Sequence, residues 1–229
     1  MVKARLGVEV LHMGKTVISF YAGDLRLEGS LDVPSSLINP SPGVVICHPH
    51  PLYGGNMDNN VVRALSRALN NNGIAVLRFN FRGVGNSEGV FANGVGERAD
   101  ALAAIDYLAR REEVDTDRIG IAGYSFGGLV TMGAGHQHHS VRAIAVVSPV
   151  VTPGMMAVCP KPKLVICGTA DQIVSPALVQ LAAAKMAEPK TVHLLKGADH
   201  FWWGQEAELG RNVADFFAKA LRGREQSNQ

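Results

Sequence analysis

A Gly-x-Ser-x-Gly segment centred on Ser125 is the part of the sequence with the clearest chemical meaning. Residues 118–122 before it predict a buried strand, and residues 126–134 predict a helix of small side chains. A serine on such a sharp turn projects its hydroxyl away from the backbone, and the helix that follows points its first amides at the reacting oxygen. Gly123 and Gly127 leave room, because a side chain at either position would collide with the neighbouring strand and helix. The segment predicts that Ser125 is a nucleophile.

The same pattern occurs a second time, centred on Ser87 in residues 85–89. No strand enters this segment directly and no apolar helix leaves it. Residues 83–89 instead predict a loop whose glycines allow unusual backbone angles. The context therefore favours Ser125 as the nucleophile. A tight turn without chemistry stays open as the alternative at Ser125.

A serine hydroxyl needs a general base, usually a histidine that a carboxylate orients. His136, His138 and His139 lie in a polar stretch, and we expect solvated cations near a helix C-terminus, with a metal site as the weaker alternative. His193 is expected to be half-buried scaffold inside a strand. His200 follows that strand in a loop at its carboxyl end, where open α/β sheets place their chemistry. His200 is therefore the predicted base.

The carboxylate should lie beyond the preceding strand, and Asp171 follows the predicted strand 164–167 at the required place. Its structural alternative is to cap a predicted helix that starts near Val174 and ends at Met186. Asp199 is the second candidate. As the immediate neighbour of His200, it is poorly placed to face the same ring.

Stabilising an oxyanion requires two backbone N–H groups. The amide of Phe126, directly after the nucleophile, is expected to supply one. The other should come from the loop after the first buried strand, where Pro49 and Pro51 have no N–H. That leaves His50 or Leu52, and we prefer His50 because the prolines on either side would fix its peptide. A stiff connector without chemistry is the alternative for this loop.

The elements that must position these residues follow from the spacing of apolar side chains. Residues 16–21 and 25–33 predict an antiparallel hairpin around a turn at Gly23 and Asp24. After residue 42, short apolar runs alternate with segments of helical spacing, which favours parallel pairing in a doubly wound sheet. The further predicted strands are 44–47, 74–79, 118–122, 141–147, 164–167 and 191–195, and the helices are 59–71, 97–110, 126–134, 176–186 and 206–221. We predict one α/β domain over residues 1–229, with its core at about 16–221 and with 1–14 and 223–229 peripheral.

Composition excludes several function classes. The chain has 229 residues, 47% hydrophobic and 18% charged, which argues against disorder. A net charge of +2 gives no electrostatic footprint for nucleic acid. The sequence has no apolar run of about 18 residues, so no membrane span is predicted. The first residues lack the apolar region of a signal peptide. Three cysteines do not make a disulfide framework, so we expect reduced thiols and a cytoplasmic location. No cofactor and no metal site are predicted.

Together, these motifs resemble the α/β-hydrolase superfamily over nearly the whole chain. The similarity is greatest to compact bacterial hydrolases that carry three particular loops, here His-Pro-His-Pro-x-x-Gly-Gly at 48–55, Asn-Phe-Arg-Gly-Val-Gly-x-Ser-x-Gly at 80–89 and Gly-Tyr-Ser-Phe-Gly-Gly at 123–128. Residues 168–171 and 197–201 resemble the acid and base loops of the superfamily. The resemblance implies an α/β-hydrolase fold and a Ser-Asp-His triad. It says little about the substrate, because one scaffold supports many chemistries.

One departure from larger relatives concerns the lid. Only residues 148–162 separate two predicted strands at the place where lipases and many esterases insert a lid domain. The site should therefore be open unless a partner subunit covers it. Pro153, Met155 and Met156 are expected either to line a pocket wall or to pack within this loop. Residues 201–203 are expected to form a hydrophobic wall, an oligomer contact or part of the core.

The sequence therefore predicts a lidless serine hydrolase that acts on a small-molecule acyl substrate, first a carboxylic ester of short acyl chain. Ser125 attacks, His200 carries the proton and Asp171 orients His200, while the amides of Phe126 and His50 bind the oxyanion. A thioesterase or peptidase on the same triad is one alternative, and a non-catalytic binding protein of the same fold is another. No nucleic acid or membrane partner is expected. A homodimer that covers the open site is an expectation by analogy.

Overall fold

The computed structural model describes residues 14–35, 40–152 and 154–222. Its strands are β1 (Gly14–Ala22), β2 (Leu25–Val33), β3 (Ser41–Cys47), β4 (Ala75–Phe79), β5 (Val114–Tyr124), β6 (Val141–Val147), β7 (Lys163–Gly168) and β8 (Lys190–Leu195). Its helices are α1 (Asn60–Asn71), α2 (Val95–Ala109), α3 (Phe126–Gln137), α4 (Pro176–Ala184) and α5 (Glu206–Ala220), with a short 3₁₀ turn at Pro51–Tyr53.

All eight strands form one sheet in the order β1-β2-β4-β3-β5-β6-β7-β8. β1 pairs with β2 and β2 with β4 in antiparallel fashion, and every other pair is parallel. The predicted N-terminal hairpin and the predicted parallel, doubly wound sheet are both confirmed. Because β3, β5, β6, β7 and β8 run in one direction, their carboxyl ends meet along one edge.

The sheet is covered on both faces, which explains why its central strands are continuous apolar runs rather than alternating ones. One core lies between the sheet and α2, α3 and α4, and includes Ile121 and Val130. The other lies between the sheet and α1 and α5, and includes Leu65 and Phe217. Gly120 is required there, because a Cβ at this position would collide with the Phe217 ring. The two cores fix the strands, and thereby the loops at their carboxyl ends.

Some element boundaries differ from the predicted ones. β5 begins at Val114 instead of residue 118, because polar residues extend the strand past the apolar run. Arg118 stabilises that extension by pairing with Asp115 at 2.6 Å and by donating to the Pro40 carbonyl at 2.8 Å. α2 begins at Val95 rather than at residue 97, since the Glu97 carboxylate accepts hydrogen bonds from the amides just before the helix.

The predicted peripheral segments fall mostly outside the described residues. Of residues 1–14, the structure describes Gly14 alone, which begins β1, and residues 223–229 are not described. None of the described helices is both long and apolar enough to cross a membrane.

Candidate active site

Ser125 lies between the last residue of β5 and the first residue of α3. Its backbone has φ 55° and ψ −118°, a conformation that costs a non-glycine residue about 1–3 kcal/mol. The Ser125 amide donates to the Val147 carbonyl of β6 at 2.9 Å, which helps to hold the turn. A Cβ on Gly123 would collide with the Gly127 carbonyl and the Thr131 hydroxyl, so the turn needs a small residue there. A Cβ on Gly127 would likewise collide with the backbone carbonyls of Cys47, the last residue of β3, and of His48. The expected crowding around the serine is therefore present.

Three of the predicted site residues form a chain of hydrogen bonds. His200 Nε2 lies 3.1 Å from Ser125 Oγ, and His200 Nδ1 lies 2.8 Å from Asp171 Oδ2. The three residues are 9%, 6% and 5% exposed for Ser125, His200 and Asp171, respectively. When Nδ1 donates its proton to the carboxylate, the Nε2 lone pair faces the serine hydroxyl. This geometry allows His200 to remove the hydroxyl proton.

Each Asp171 oxygen has its own partners. Oδ2 faces His200, whereas Oδ1 accepts hydrogen bonds from the amides of Ile173 at 3.0 Å and Val174 at 2.8 Å. The helix-capping alternative is wrong in detail, because α4 begins at Pro176 and Ser175 is its N-cap. Asp171 instead closes a local turn that fixes the direction of its own carboxylate. Asp199, the second candidate, accepts from the Trp202 amide at 2.7 Å and serves its own loop.

Burial of Asp171 opposes its ionisation, but hydrogen bonds outweigh that effect. Those from His200, from the Val174 amide and from the Ser148 hydroxyl leave the pKa of Asp171 below its usual value. The carboxylate is therefore charged at neutral pH and can stabilise a protonated His200.

Ser148 and Tyr124 support the site, and the sequence analysis missed both. Ser148 is fully buried directly after β6, and it accepts a hydrogen bond from Trp202 Nε1 at 3.3 Å. The Tyr124 hydroxyl donates to the His200 carbonyl at 2.7 Å. The available signal was their position, because both lie at the carboxyl ends of central strands.

Neither of the two amides expected to bind an oxyanion, those of Phe126 and His50, donates a hydrogen bond to another described residue. The amide of Phe126 is the first of α3 and has no partner within the helix. Within the described part of the chain, the His50 amide donates to no protein acceptor. The amide of Leu52, the alternative to His50, already donates to His50 Nδ1 at 3.2 Å. The His50 and Phe126 rings are 4.8 Å apart, so the two residues lie side by side.

His48 anchors this loop to the end of β4. Its Nδ1 lies 2.6 Å from the Pro49 carbonyl, and its Nε2 accepts from the Phe81 amide at 3.1 Å. Burial lowers the pKa of His48 to about 4, so the ring is neutral. Both ring nitrogens are committed to the backbone. Across the described residues, no cluster of three or more His, Cys, Asp or Glu side chains has the arrangement of a metal site.

Ser87, the serine of the second Gly-x-Ser-x-Gly segment, lies in a loop and has structural partners. Its hydroxyl donates to the Asn80 carbonyl at 2.8 Å and accepts from the Glu28 amide at 3.0 Å. The side chain is buried and ties the loop after β4 to β2. This geometry gives Ser87 a structural role and explains the second Gly-x-Ser-x-Gly segment without any chemistry there.

Two expectations for the other histidines are wrong. His138 is buried, not solvated, because its Nε2 lies 3.1 Å from Asp106 of α2 and its ring stacks on His139. His193 is exposed rather than half-buried, because β8 is an edge strand, and its Nδ1 lies 2.9 Å from Asn212. His136 and His139 are exposed, as expected.

The apolar residues near the site, for which the sequence leaves core packing or a surface role open, differ in burial. Trp202 is fully buried in the core, whereas Phe201 and Trp203 are 51% and 69% exposed. Met156 is buried and Met155 half-buried, and Pro153 lies outside the described residues. The connection from β6 to β7 has no room for a lid domain.

Comparison with known proteins agrees with this architecture. The sequence model of the X-Pro dipeptidyl-peptidase (S15) family matches residues 26–209. The chain belongs to this family. A protein of Rickettsia prowazekii is 34% identical to this chain over 210 residues, and the match covers 87% of each chain.

Two solved structures are also similar to this S15-family chain. A structure described as an alpha-beta serine hydrolase homologue from Coxiella burnetii is 31% identical, with a TM-score of 0.80, covering 90% of this chain and 99% of that one. A lidless α/β serine hydrolase of Xanthomonas campestris is 28% identical, with a TM-score of 0.81, covering 92% and 97%. The resemblance to lidless α/β-hydrolases is therefore confirmed. This S15-family protein is a serine hydrolase of the α/β-hydrolase fold.

Proposed function

We propose that the protein hydrolyses small carboxylic esters of short acyl chain through an acyl-enzyme on Ser125. The observation that carries the proposal is the hydrogen-bonded chain from Ser125 Oγ through the His200 ring to Asp171 Oδ2, with contacts of 3.1 and 2.8 Å. A nucleophile, a base and an orienting carboxylate in this order are what acyl transfer at neutral pH requires.

In the first half of the reaction, Ser125 Oγ attacks the ester carbonyl carbon while His200 Nε2 takes the hydroxyl proton. The oxyanion that forms accepts hydrogen bonds from the Phe126 and His50 amides, each worth about 10²–10³ in rate. The tetrahedral intermediate collapses, and His200 returns the proton to the leaving alkoxide, which departs as the alcohol. The acyl group stays on Ser125.

In the second half, a water molecule replaces the alcohol. His200 takes a proton from the water as its oxygen attacks the acyl carbon, and the amides of Phe126 and His50 bind the second oxyanion. Collapse releases the carboxylic acid, and His200 returns the proton to Ser125 Oγ. Asp171 keeps its charge throughout and stabilises the imidazolium form of His200.

Peptide hydrolysis is the second candidate, because the family is named for a peptidase. An aminopeptidase needs a negative charge to hold the substrate ammonium. The negative charge of Glu97 acts on the nearby His50 ring. Glu97 is fully buried, however, and its two carboxylate oxygens accept hydrogen bonds from the Ala92 and Gly94 amides at 2.8 and 2.7 Å. Glu97 is therefore not available to bind the ammonium group of a peptide substrate.

The first experiment is labelling of the pure protein with a fluorophosphonate, followed by peptide mapping. We expect covalent mass on Ser125, and loss of that mass in Ser125→Ala and His200→Ala. Ser87→Ala is the matched control and should label like the wild type. Label on Ser87, or no label on folded protein, would overturn the assignment.

A substrate panel separates the candidate activities. Rates on p-nitrophenyl esters, acyl-CoA thioesters and aminoacyl anilides should be greatest for the short esters, and all should vanish in Ser125→Ala. A greater kcat/KM on the anilides would support the peptidase, and on acyl-CoA the thioesterase. Stabilisation by a ligand with no turnover would support a binding protein.

A cytoplasmic location and a homodimer stay predictions. In the described residues, Cys47, Cys159 and Cys167 are buried and form no disulfide, which is compatible with a reducing compartment. Size-exclusion chromatography with light scattering tests the dimer.

A further inference from the structure

Two buried residues behind the site, Ser148 and Trp202, have backbone angles that residues other than glycine rarely adopt. Ser148 has φ 41° and Trp202 has φ 62°, and both residues are fully buried. Strain of this kind persists only where the surrounding structure holds it in place, and it is frequent at functional sites. The two residues are also joined, because Trp202 Nε1 donates to Ser148 Oγ at 3.3 Å. Both features point to a role beyond filling the core.

The sheet brings Ser148 to the carboxylate of Asp171. Ser148 follows β6 directly, and its amide donates to the Ile166 carbonyl of β7 at 2.8 Å, which continues the parallel pairing of the two strands. Asp171 lies three positions after Gly168, the last residue of β7. The Ser148 hydroxyl thus reaches the carboxylate from the neighbouring strand and donates a hydrogen bond to it.

Trp202 fixes the direction in which the Ser148 hydroxyl donates. An indole N–H is a donor only, so Ser148 Oγ accepts from it and keeps its own proton for another partner. The Asp171 carboxylate and the Cys167 thiol are both within hydrogen-bonding reach of that proton. The carboxylate is the stronger acceptor because it is charged. The indole therefore orients the hydroxyl as a donor to Asp171.

Several titratable side chains are placed around this carboxylate: His200, Cys167, Tyr124 and Asp199. Burial raises the pKa of Cys167 to about 11, and it raises the pKa of Tyr124 above its usual value, so both side chains are neutral in an assay near pH 7. Asp199 lies in the loop after β8 and accepts from the Trp202 amide at 2.7 Å. Unlike these groups, the Ser148 hydroxyl does not titrate, so its hydrogen bond stabilises the carboxylate charge over the whole pH range of an assay.

We propose that Ser148 is a positioning residue, whose hydroxyl orients the Asp171 carboxylate and extends the working range of His200 to lower pH. The inference rests on the proposed function, because it concerns the same three residues. The Asp171–His200 pair carries a negative charge when the ring is neutral, and proton uptake cancels that charge. A hydrogen bond from Ser148 favours the charged state of the pair. Removing the hydroxyl therefore favours the protonated pair, in which His200 cannot act as a base.

The test measures the acid-side midpoint, which is the pH at which a rate falls to half of its plateau value. The rate constant for fluorophosphonate labelling of Ser125 gives this midpoint without any assumption about the substrate, and kcat/KM for p-nitrophenyl acetate gives it for an ester. We expect Ser148→Ala to raise the midpoint by about 0.5–1 pH unit, because the lost hydrogen bond has a charged acceptor. One unit below the wild-type midpoint, the rate relative to its plateau should then be about threefold to ninefold lower than in the wild type.

Two further variants separate the hydroxyl from its surroundings. Ser148→Gly also removes the hydroxyl, but glycine adopts a φ of 41° without strain, and this variant should raise the midpoint as much as Ser148→Ala does. Ser66→Ala is the matched control, because Ser66 is another buried serine and donates to the buried Asp32 carboxylate at 3.0 Å. It removes the same kind of hydrogen bond away from the site, so its midpoint should equal that of the wild type.

Unchanged midpoints in both Ser148 variants would overturn the inference and leave the esterase proposal intact. An equal shift in Ser66→Ala would also overturn it, because the effect would then be a general consequence of a lost buried hydrogen bond. A wild type that labels on Ser125 but hydrolyses no ester would overturn the esterase proposal, while the labelling rates would still decide the role of Ser148. No labelling of Ser125 would overturn both.

Discussion

Replacing Asp171 with asparagine should nearly abolish turnover without unfolding the protein. Oδ1 of Asp171 accepts from the Ile173 and Val174 amides, so the asparagine carbonyl must take that side. The opposite orientation would set donors against donors and would leave both of these partly buried amides without a protein acceptor, at about 1 kcal/mol each. The asparagine NH₂ then faces His200 Nδ1, whose position is 2.8 Å from Oδ2 in the wild type.

A donor at that place requires His200 Nδ1 to act as an acceptor, which moves the ring proton to Nε2. Nε2 then presents a proton to Ser125 Oγ, 3.1 Å away, and no longer accepts one. We expect kcat to fall about 10⁴-fold, or about 5 kcal/mol of barrier. Initial rates of p-nitrophenyl acetate hydrolysis, measured over a range of substrate concentrations, give this loss in kcat.

Asp171→Ala is the matched control for the tautomer argument. It leaves the His200 ring free to adopt either tautomer, so kcat should fall less than in Asp171→Asn. It also leaves the Ile173 and Val174 amides without their acceptor, so its thermal midpoint should lie several degrees below that of Asp171→Asn. Retention of more than a tenth of the wild-type kcat by Asp171→Asn would refute the reasoning, as would a greater activity loss in the alanine variant.

Two further predictions concern groups around the site. Ser87→Ala should label normally with a fluorophosphonate but lower the free energy of unfolding by about 1–3 kcal/mol, because the Glu28 amide loses its acceptor; an unchanged melting curve would contradict this. His48 has its pKa lowered from 6.5 to about 4, so between these values the unfolded chain binds a proton that the folded chain excludes. The free energy of unfolding should therefore fall by about 3 kcal/mol as the pH drops through that window, and denaturant titrations of His48→Gln should show a weaker dependence on pH.

The sequence predicts the strands and the three site side chains well for a local reason. A buried strand that runs straight into a polar or glycine-rich loop marks the carboxyl edge of a parallel sheet, and Ser125, Asp171 and His200 each follow such a strand. The turn residues around Ser125 are also local, since Gly123 and Gly127 flank it directly. Their catalytic roles stay predictions until the labelling and rate experiments are done.

What the sequence does not predict depends on contacts between distant segments. His138 is buried because Asp106, 32 positions earlier, faces it from α2. His193 is exposed because β8 is the edge strand of the sheet that the described residues form. The apolar pattern of a single strand does not predict its place in the order of strands. Ser148 reaches Asp171 because β6 and β7 end side by side.

The contrast between the two tryptophans gives the site an optical probe of its own. The chain has two tryptophans, and they are neighbours in sequence, yet Trp202 is fully buried and Trp203 is 69% exposed. A water-soluble quencher should remove the emission of Trp203 first and leave a blue-shifted component from Trp202. The Trp202 indole donates to Ser148, and Ser148 in turn contacts Asp171. The shielded emission thus reports on the packing beneath the carboxylate, and a fluorimeter can follow that packing in solution without any added label.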